Sequence, residues 1–355
     1  MPYEDSPHFK TPCYTKPLWR YMHIDKFLAM LSSKTLYFPN VYSYNDRFEG
    51  RLSEKSKDEI RKISLFDEKN TLISHDTEFN RKRESLKNDC EKRLVDEKRT
   101  LNELVQEQEK IESGRIFEQL INNFLSHLMY CNSWFLSEKE SHTMWAEYGD
   151  KISTSIAIQT TVGNLIESLK CTDNIYKSLV YNFDDSLESD KYTIHIGKVN
   201  YKDYLTDDIE GYEDFQSEYL NGPDNVLKLF YAPFLHKRDV YMDEHEVRAI
   251  ISFEDVSKEF LGRVYTSKIP FYTDPMFQTD VSLLREYNNP INNADNGIPI
   301  KVNLHILLKR IVISPTVNNY FNIPFEDLIK RYGIDPKIIS TSQISDIQET
   351  SQEDP

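Results

Sequence analysis

The segment Asp243–Ile251 is the feature that most constrains the fold of this chain. It runs from acidic residues into β-branched and aliphatic ones, which predicts a β-strand over the whole segment. Because strand side chains alternate between two faces, Glu244, Glu246 and Arg248 share one face and an apolar row occupies the other. Two carboxylates on one face disfavour each other's charge. Either that face is solvated, with Arg248 balancing the acids, or the pair does chemistry.

The remaining apolar segments predict strands and helices without regular βαβ alternation. Strands are predicted at 18–22, 35–38, 129–135, 153–159, 195–200, 300–302 and 310–314, and helices at 24–31, 117–128, 224–235 and 325–332. This mixture is typical of an α+β fold with mainly antiparallel strands and packed helices.

The charged residues divide the chain into three parts. Lys, Arg, Glu and Asp dominate residues 52–113, which predicts a charged helical insertion, either a solvated hairpin or a partner-binding or lid element. From 340 to 355 the chain is rich in Ser, Gln, Asp and Glu, which predicts a disordered polar tail. We therefore expect a single α+β domain over 1–339, interrupted by the insertion.

Composition excludes several classes of protein. The formal net charge of −15 over 355 residues argues against broad nucleic-acid binding. The four cysteines are isolated, no signal-peptide pattern opens the chain, and no run of about 18 apolar residues is present, so we expect a reduced, cytoplasmic protein outside the membrane. The dinucleotide, P-loop and nucleophile-elbow motifs are missing, which argues against Rossmann oxidoreductases, P-loop NTPases and ordinary α/β-hydrolases.

Polar residues on two predicted strands are candidates for a binding site. Arg20 interrupts an apolar row between Leu18 and Met22, so it either snorkels from a strand edge or holds a phosphate or carboxylate. Ser153 and Ser155 share one face of the strand that follows. Their hydroxyls either belong to an ordinary half-exposed strand or hydrogen-bond a ligand.

A short polar loop adds three more candidates, Asn45, Asp46 and Glu49, which lie around the apolar anchor Phe48. Asn45 and Asp46 are typical of an Asx turn, with Glu49 solvated. The alternative is that the loop lines the site beside Glu244 and Glu246.

Taken in order, Arg20, the Ser153–Ser155 strand and the Glu244–Glu246 pair resemble the R-S-E arrangement of ADP-ribosyltransferases. The resemblance implies that Arg20 supports NAD as a substrate and that Ser153 or Ser155 shapes the nicotinamide pocket. It implies that Glu246 is catalytic and Glu244 auxiliary. A carboxylate suits that chemistry because positive charge develops at the sugar carbon. Tyr148 is either a core residue or a platform that stacks the nicotinamide or adenine.

A second resemblance covers nearly the whole chain except the insertion and the tail. Its motifs are WRY at 19–21, YNDRFEG at 44–50, CNSW at 131–134, WAEYG at 145–149, FLHK at 234–237, EHEVRAI at 244–250 and ISPT at 313–316. Together they resemble a bacterial family filed among the domains of unknown function, whose loop usually reads FNDPFEG. Here Tyr44 and Arg47 replace Phe and Pro, so the loop loses a rigid turn.

The leading hypothesis is an NAD-processing, ADP-ribosyltransferase-like bacterial effector, a toxin or an antiviral defence protein. One alternative is a metal-dependent hydrolase or nuclease, in which Asp46, Glu49, Glu244 and Glu246 bind Mg²⁺ or Mn²⁺. Another is a non-catalytic interaction protein that binds a partner through residues 52–113.

Overall fold

The structure is a computed structural model that describes residues 3–44, 46, 48–61, 129–149, 155–170, 193–213, 228–229, 231–252, 297–315, 317 and 322–344. Asn45 and Ser153, the insertion beyond Arg61, the predicted helix at 117–128 and the tail beyond Ile344 lie outside these ranges.

Short strands and helices alternate irregularly along the described chain. The strands are β1 Pro17–His23, β2 Thr35–Pro39, β3 Tyr130–Leu136, β4 Ser155–Thr161, β5 Thr193–Lys198, β6 Asn200–Lys202, β7 His236–Arg238, β8 Glu246–Ser252, β9 Gly297–Lys301, β10 Arg310–Ile313 and β11 Ile339–Thr341. The helices are α1 Ile24–Ser33, α2 Glu54–Arg61, α3 His142–Tyr148, α4 Val162–Lys170, α5 Leu304–Leu307 and α6 Asn322–Arg331. Four 3₁₀ turns occupy Val41–Ser43, Ala232–Leu235, Asp239–Glu244 and Pro336–Ile338.

One seven-stranded sheet organises these elements. Its order is β11-β10-β4-β1-β3-β8-β5, and every neighbouring pair is antiparallel except β10 with β11. Two small sheets, β2-β9 and β6-β7, lie outside it. The predicted α+β class with mainly antiparallel strands is confirmed. Among the described helices, none is long and apolar enough to cross a bilayer.

The two faces of the sheet are covered differently. The larger core contains Leu18, Trp134 and Val247, together with apolar residues of α1, α4, α5 and α6. The opposite face carries a smaller cluster in which Trp19 packs with the α3 residue Trp145. Full burial of each large apolar side chain contributes about 1.5–3 kcal/mol, so the larger core dominates stability and the smaller face has room for polar groups.

The sheet opens in its middle, between β1 and β3. These strands are in register only at Leu18 with Leu136 and at Trp19 with Phe135. Beyond Trp19, β3 turns to β2, where the Asn132 side chain donates a hydrogen bond of 2.8 Å to a β2 carbonyl. The opening therefore begins at the next residue of β1, which is Arg20.

Two expectations about element boundaries were wrong. The predicted tail starts within β11, which pairs with β10, and the Ser342 hydroxyl donates to the Glu140 carboxylate at 2.5 Å. Ile338 and Ile339 give that segment apolar side chains that pack against the larger core. Glu244 is not part of β8, because it ends the 3₁₀ turn and His245 adopts a left-handed conformation before the strand begins at Glu246.

Candidate active site

A buried arginine forms the centre of the candidate site. The Arg248 side chain is fully buried, and its Nε and Nη2 donate to Glu246 Oε1 and Oε2 at 2.8 and 3.0 Å. Its Nη1 donates to the Phe234 carbonyl at 2.7 Å. This bidentate geometry is the strong form of a charge-assisted pair. The solvated-face interpretation of β8 is therefore wrong, although Arg248 does balance the acid as expected.

Glu49 is the second acid on this arginine. Its Oε1 lies 2.5 Å from Arg248 Nη2, but the atoms are not aligned as a hydrogen bond, so the contact is electrostatic. Burial raises the pKa of Glu49, and the positive charge of Arg248 opposes that shift. Burial would also raise the pKa of Glu246, but the Arg248 ion pair outweighs it and lowers this pKa to about 2. Glu246 is therefore an anion at neutral pH.

Lys237 of β7 joins the acids from the accessible side. Its Nζ lies 2.5 Å from Glu244, 3.3 Å from Glu246 and 4.0 Å from Glu49, and 4.8 Å from the centre of the Tyr241 ring. Burial would lower the pKa of Lys237, but the carboxylates, led by Glu246, raise it. Three acids thus converge on one ammonium group.

Arg20 approaches the same cluster from β1. The strand register puts the Arg20 side chain on the sheet face that carries the larger core, whereas Glu246 is on the other face. Its guanidinium lies at the opening beyond Trp19, where Nη1 donates to the Ser133 carbonyl at 2.7 Å. The Ser133 side chain lies on the same face of the sheet as Glu246 and helps to lower the pKa of that acid. Burial lowers the pKa of Arg20, and its charge interacts with Glu246. Arg20 and Glu246 therefore approach β3 from its two faces.

Glu244 and Tyr148 form the accessible edge of the site. The Glu244 side chain is 20% exposed, whereas the Glu246 side chain is 6% exposed. The Tyr148 hydroxyl donates to Glu244 Oε1 at 3.3 Å, and 48% of Tyr148 is exposed. Burial of the hydroxyl end raises the Tyr148 pKa, so this group stays a hydrogen-bond donor at neutral pH. Of the two acids, Glu244 is the one that a ligand can reach.

The polar loop lines the cluster on its other side. Asp46 accepts a hydrogen bond of 3.0 Å from the Phe48 amide, as expected for an Asx turn, and its carboxylate also pairs with Arg238 Nη2 at 3.2 Å. Arg238 in turn lies over the Phe48 ring, 4.5 Å from its centre. Glu49 is buried in the ion-pair cluster instead of being solvated. Asp46 thus forms the expected Asx turn and an ion pair with Arg238, and the solvated interpretation of Glu49 is wrong.

Ser155 lies apart from this cluster. It is buried at the start of β4, opposite His23, whereas Arg20 is opposite Ile158 further along that strand. Ser155 packs against Gly149, the residue that follows Tyr148 at the end of α3. A side chain at Gly149 would bring its Cβ within 3.3 Å of the Ser155 Cβ. The structure therefore brings Arg20, Asp46, Glu49, Tyr148, Glu244 and Glu246 together and leaves Ser155 outside.

Three residues of the cluster were not among the candidates from the sequence. Lys237 and Arg238 precede the Glu244–Glu246 pair by only six to nine residues, which was a usable signal. Ser133 has no distinguishing sequence pattern, because its role depends on where β1 separates from β3.

The metal alternative fits the structure poorly. Each of its four carboxylates already pairs with a cation: Asp46 with Arg238, Glu49 and Glu246 with Arg248, and Glu244 with Lys237. Across the described ranges, no three His, Cys, Asp or Glu side chains form a group that could hold a metal ion. A divalent ion would first have to displace arginine or lysine from the acids.

Comparison of the chain with protein-family models, with curated proteins and with solved structures found no match. Its function is therefore inferred from the chemistry of this cluster.

Proposed function

We propose that the protein is an NAD-processing enzyme of the ADP-ribosyltransferase type, with its site at the opening between β1 and β3. The observation that carries the proposal is that Arg20 and Glu246 flank β3 from its two faces. Arg20 Nη1 donates to the Ser133 carbonyl, and Glu246 shares Lys237 with Glu244, which accepts a hydrogen bond from Tyr148. Arg20 provides a cation for a pyrophosphate, and the acids on the other face of β3 provide an anion for a ribose.

The reaction needs a carboxylate at the ribose carbon. The bond between that carbon and the nicotinamide nitrogen breaks, and the nitrogen keeps the electron pair. The acceptor's nucleophilic atom bonds to the same carbon and gives its proton to a base. Positive charge develops at the carbon during this exchange, and a carboxylate stabilises it.

We assign that role to Glu244 instead of Glu246. Glu246 is 5% exposed, and both its oxygens are held by Arg248, so it is better suited to fix Lys237 and Ser133 around the site. Glu244 is more exposed and remains near a cation. This exchanges the roles that the resemblance implied. The half-exposed ring of Tyr148 supplies an apolar face for a planar base.

NAD affinity measured by calorimetry tests the proposal. We expect the wild type to bind NAD and Arg20→Met to bind it at least about tenfold more weakly, because one charge-assisted contact is lost. Arg331→Met, at the end of α6, is the control and should bind like wild type. Absence of binding by folded wild type, or equal affinity of Arg20→Met, would contradict the proposal.

The resemblances also support a role as a bacterial toxin or antiviral effector in the cytoplasm. A second candidate, a non-catalytic interaction protein, is supported by the complete pairing of the four acids, since structural ion-pair networks share that property. In that case Glu244→Gln would leave the biological effect unchanged, and deletion of 62–113 would abolish it.

A further inference from the structure

The backbone between the two acids has an uncommon conformation. His245, with φ 38° and ψ 49°, is left-handed. Among the described residues, the other non-glycine residue with positive φ is Lys34, at the C-cap of α1. A left-handed residue is common at a helix end. At His245 it also separates Glu244 from Glu246, and strained residues of this kind cluster at functional sites.

Backbone hydrogen bonds hold this turn on both sides. The His245 amide donates to the Met242 carbonyl at 3.2 Å, and the His245 carbonyl accepts from the Leu136 amide at 3.0 Å. The imidazole is exposed, and its ring contact in the described structure is with Phe135, 6.1 Å between centres. The backbone of His245, and not its side chain, is therefore the part that the fold fixes.

The turn determines where Glu244 lies. In an uninterrupted strand, residues two apart lie about 7 Å from each other along the strand and project in parallel. Here a 3₁₀ turn and the left-handed His245 precede β8, and the carboxylates of Glu244 and Glu246 both reach Lys237 Nζ, at 2.5 and 3.3 Å. The same turn brings Glu244 to the hydroxyl of Tyr148.

We propose that the left-handed backbone of His245 is a positioning device, which holds the Glu244 carboxylate beside Lys237 and Tyr148 in the substrate site. This inference rests on the proposed function for the substrate, but the placement of Glu244 is a separate, measurable property. Any residue that accepts the left-handed region should serve, whereas a β-branched residue should not.

The test compares substitutions at the two left-handed positions. His245→Val should weaken NAD binding by about tenfold or more, while His245→Gly and His245→Asn should restore it to within about threefold of wild type. Lys34→Val is the matched control: it opposes the same backbone conformation at a distance from the site. It should lower the melting temperature and leave NAD affinity unchanged.

A second measurement is independent of NAD. The Lys237 ammonium group, held between acids, should give a slowly exchanging ¹⁵N signal, assigned by its loss in Lys237→Arg. We expect the signal in wild type, His245→Gly and Lys34→Val, and its shift or loss in His245→Val. If His245→Val keeps the signal, or if His245→Gly binds NAD as weakly as His245→Val, the proposal is refuted. If wild type keeps the signal but does not bind NAD, the proposed function fails and the positioning role stands.

Discussion

Replacing Glu246 by Gln tests how the buried arginine is stabilised. The substitution keeps the size and shape of the side chain, so packing around β8 is preserved and the change is electrostatic. Arg248 is fully buried, and it would lose the negative charge on the acceptor of its Nε and Nη2 groups. Removing one partner of a buried ion pair costs about 3–5 kcal/mol, because the remaining charge is uncompensated.

The remaining acid limits that loss. Glu49 lies against the same guanidinium, and Lys237 would lose one of its three carboxylates. We therefore expect Glu246→Gln to lower the free energy of unfolding by about 3 kcal/mol, the lower end of that range. Urea denaturation followed by circular dichroism at pH 7 measures it.

An exposed ion pair serves as the control. Glu138 pairs with Lys16 at 3.0 Å, and both side chains are more than half exposed. Glu138→Gln should change the free energy of unfolding by less than about 0.5 kcal/mol. A loss below 1 kcal/mol for Glu246→Gln would refute the view that the Arg248 ion pair is needed to keep this cluster buried.

Three other outcomes follow from titratable groups whose pKa values are shifted. Burial lowers the pKa of His236 to about 4, so the folded state favours the neutral imidazole. The resulting stability, about 3 kcal/mol, is fully present above pH 6.5 and is lost as the pH falls to 4. The stability–pH curve of His236→Gln should lack this decline. Burial would raise the pKa of Glu246, but the ion pair with Arg248 lowers it to about 2. The ionised carboxylate therefore stabilises the fold fully above pH 4.5, and this stability is lost between pH 4.5 and 2. Acid unfolding of Glu246→Gln should lack that decline. The hydrogen bond to Thr15 lowers the pKa of the exposed Cys13 thiol, whereas burial raises the pKa of Cys131 to about 12. Iodoacetamide should therefore label Cys13 in the folded protein and Cys131 only after unfolding, as measured by peptide mass spectrometry.

The sequence predicted individual strands correctly because alternation between buried and exposed residues is visible within a few consecutive positions. The aliphatic run after Glu246 predicted β8, and the alternation at Leu18 and Met22 predicted β1, since period-two burial is visible within one segment. The same alternation put Glu246 and Arg248 on one face, which the bidentate pair bears out. It could not tell that the face is buried, because burial depends on the loop that carries Glu49 folding over it.

The arrangement around the acids depended on long-range geometry. Arg20 and Ser133 meet because β1 separates from β3 after Trp19, and no local signal marks that opening. The left-handed conformation of His245 was not predicted because Gly or Asn usually marks such a position. Because the turn was not predicted, Glu244 was placed in the strand on the same face as Glu246.

Release of nicotinamide from NAD is the measurement that tests the central claim most directly. The claim is that the cluster at the opening of the sheet is an NAD-processing site in which Glu244 faces the ribose. Chromatography would quantify free nicotinamide after incubation of wild type, Glu244→Gln and the control Glu138→Gln with saturating NAD. We predict release by wild type and the control, and a rate lower by about 100-fold or more in Glu244→Gln. Release by Glu244→Gln at the wild-type rate, or none by folded wild type, would contradict the account.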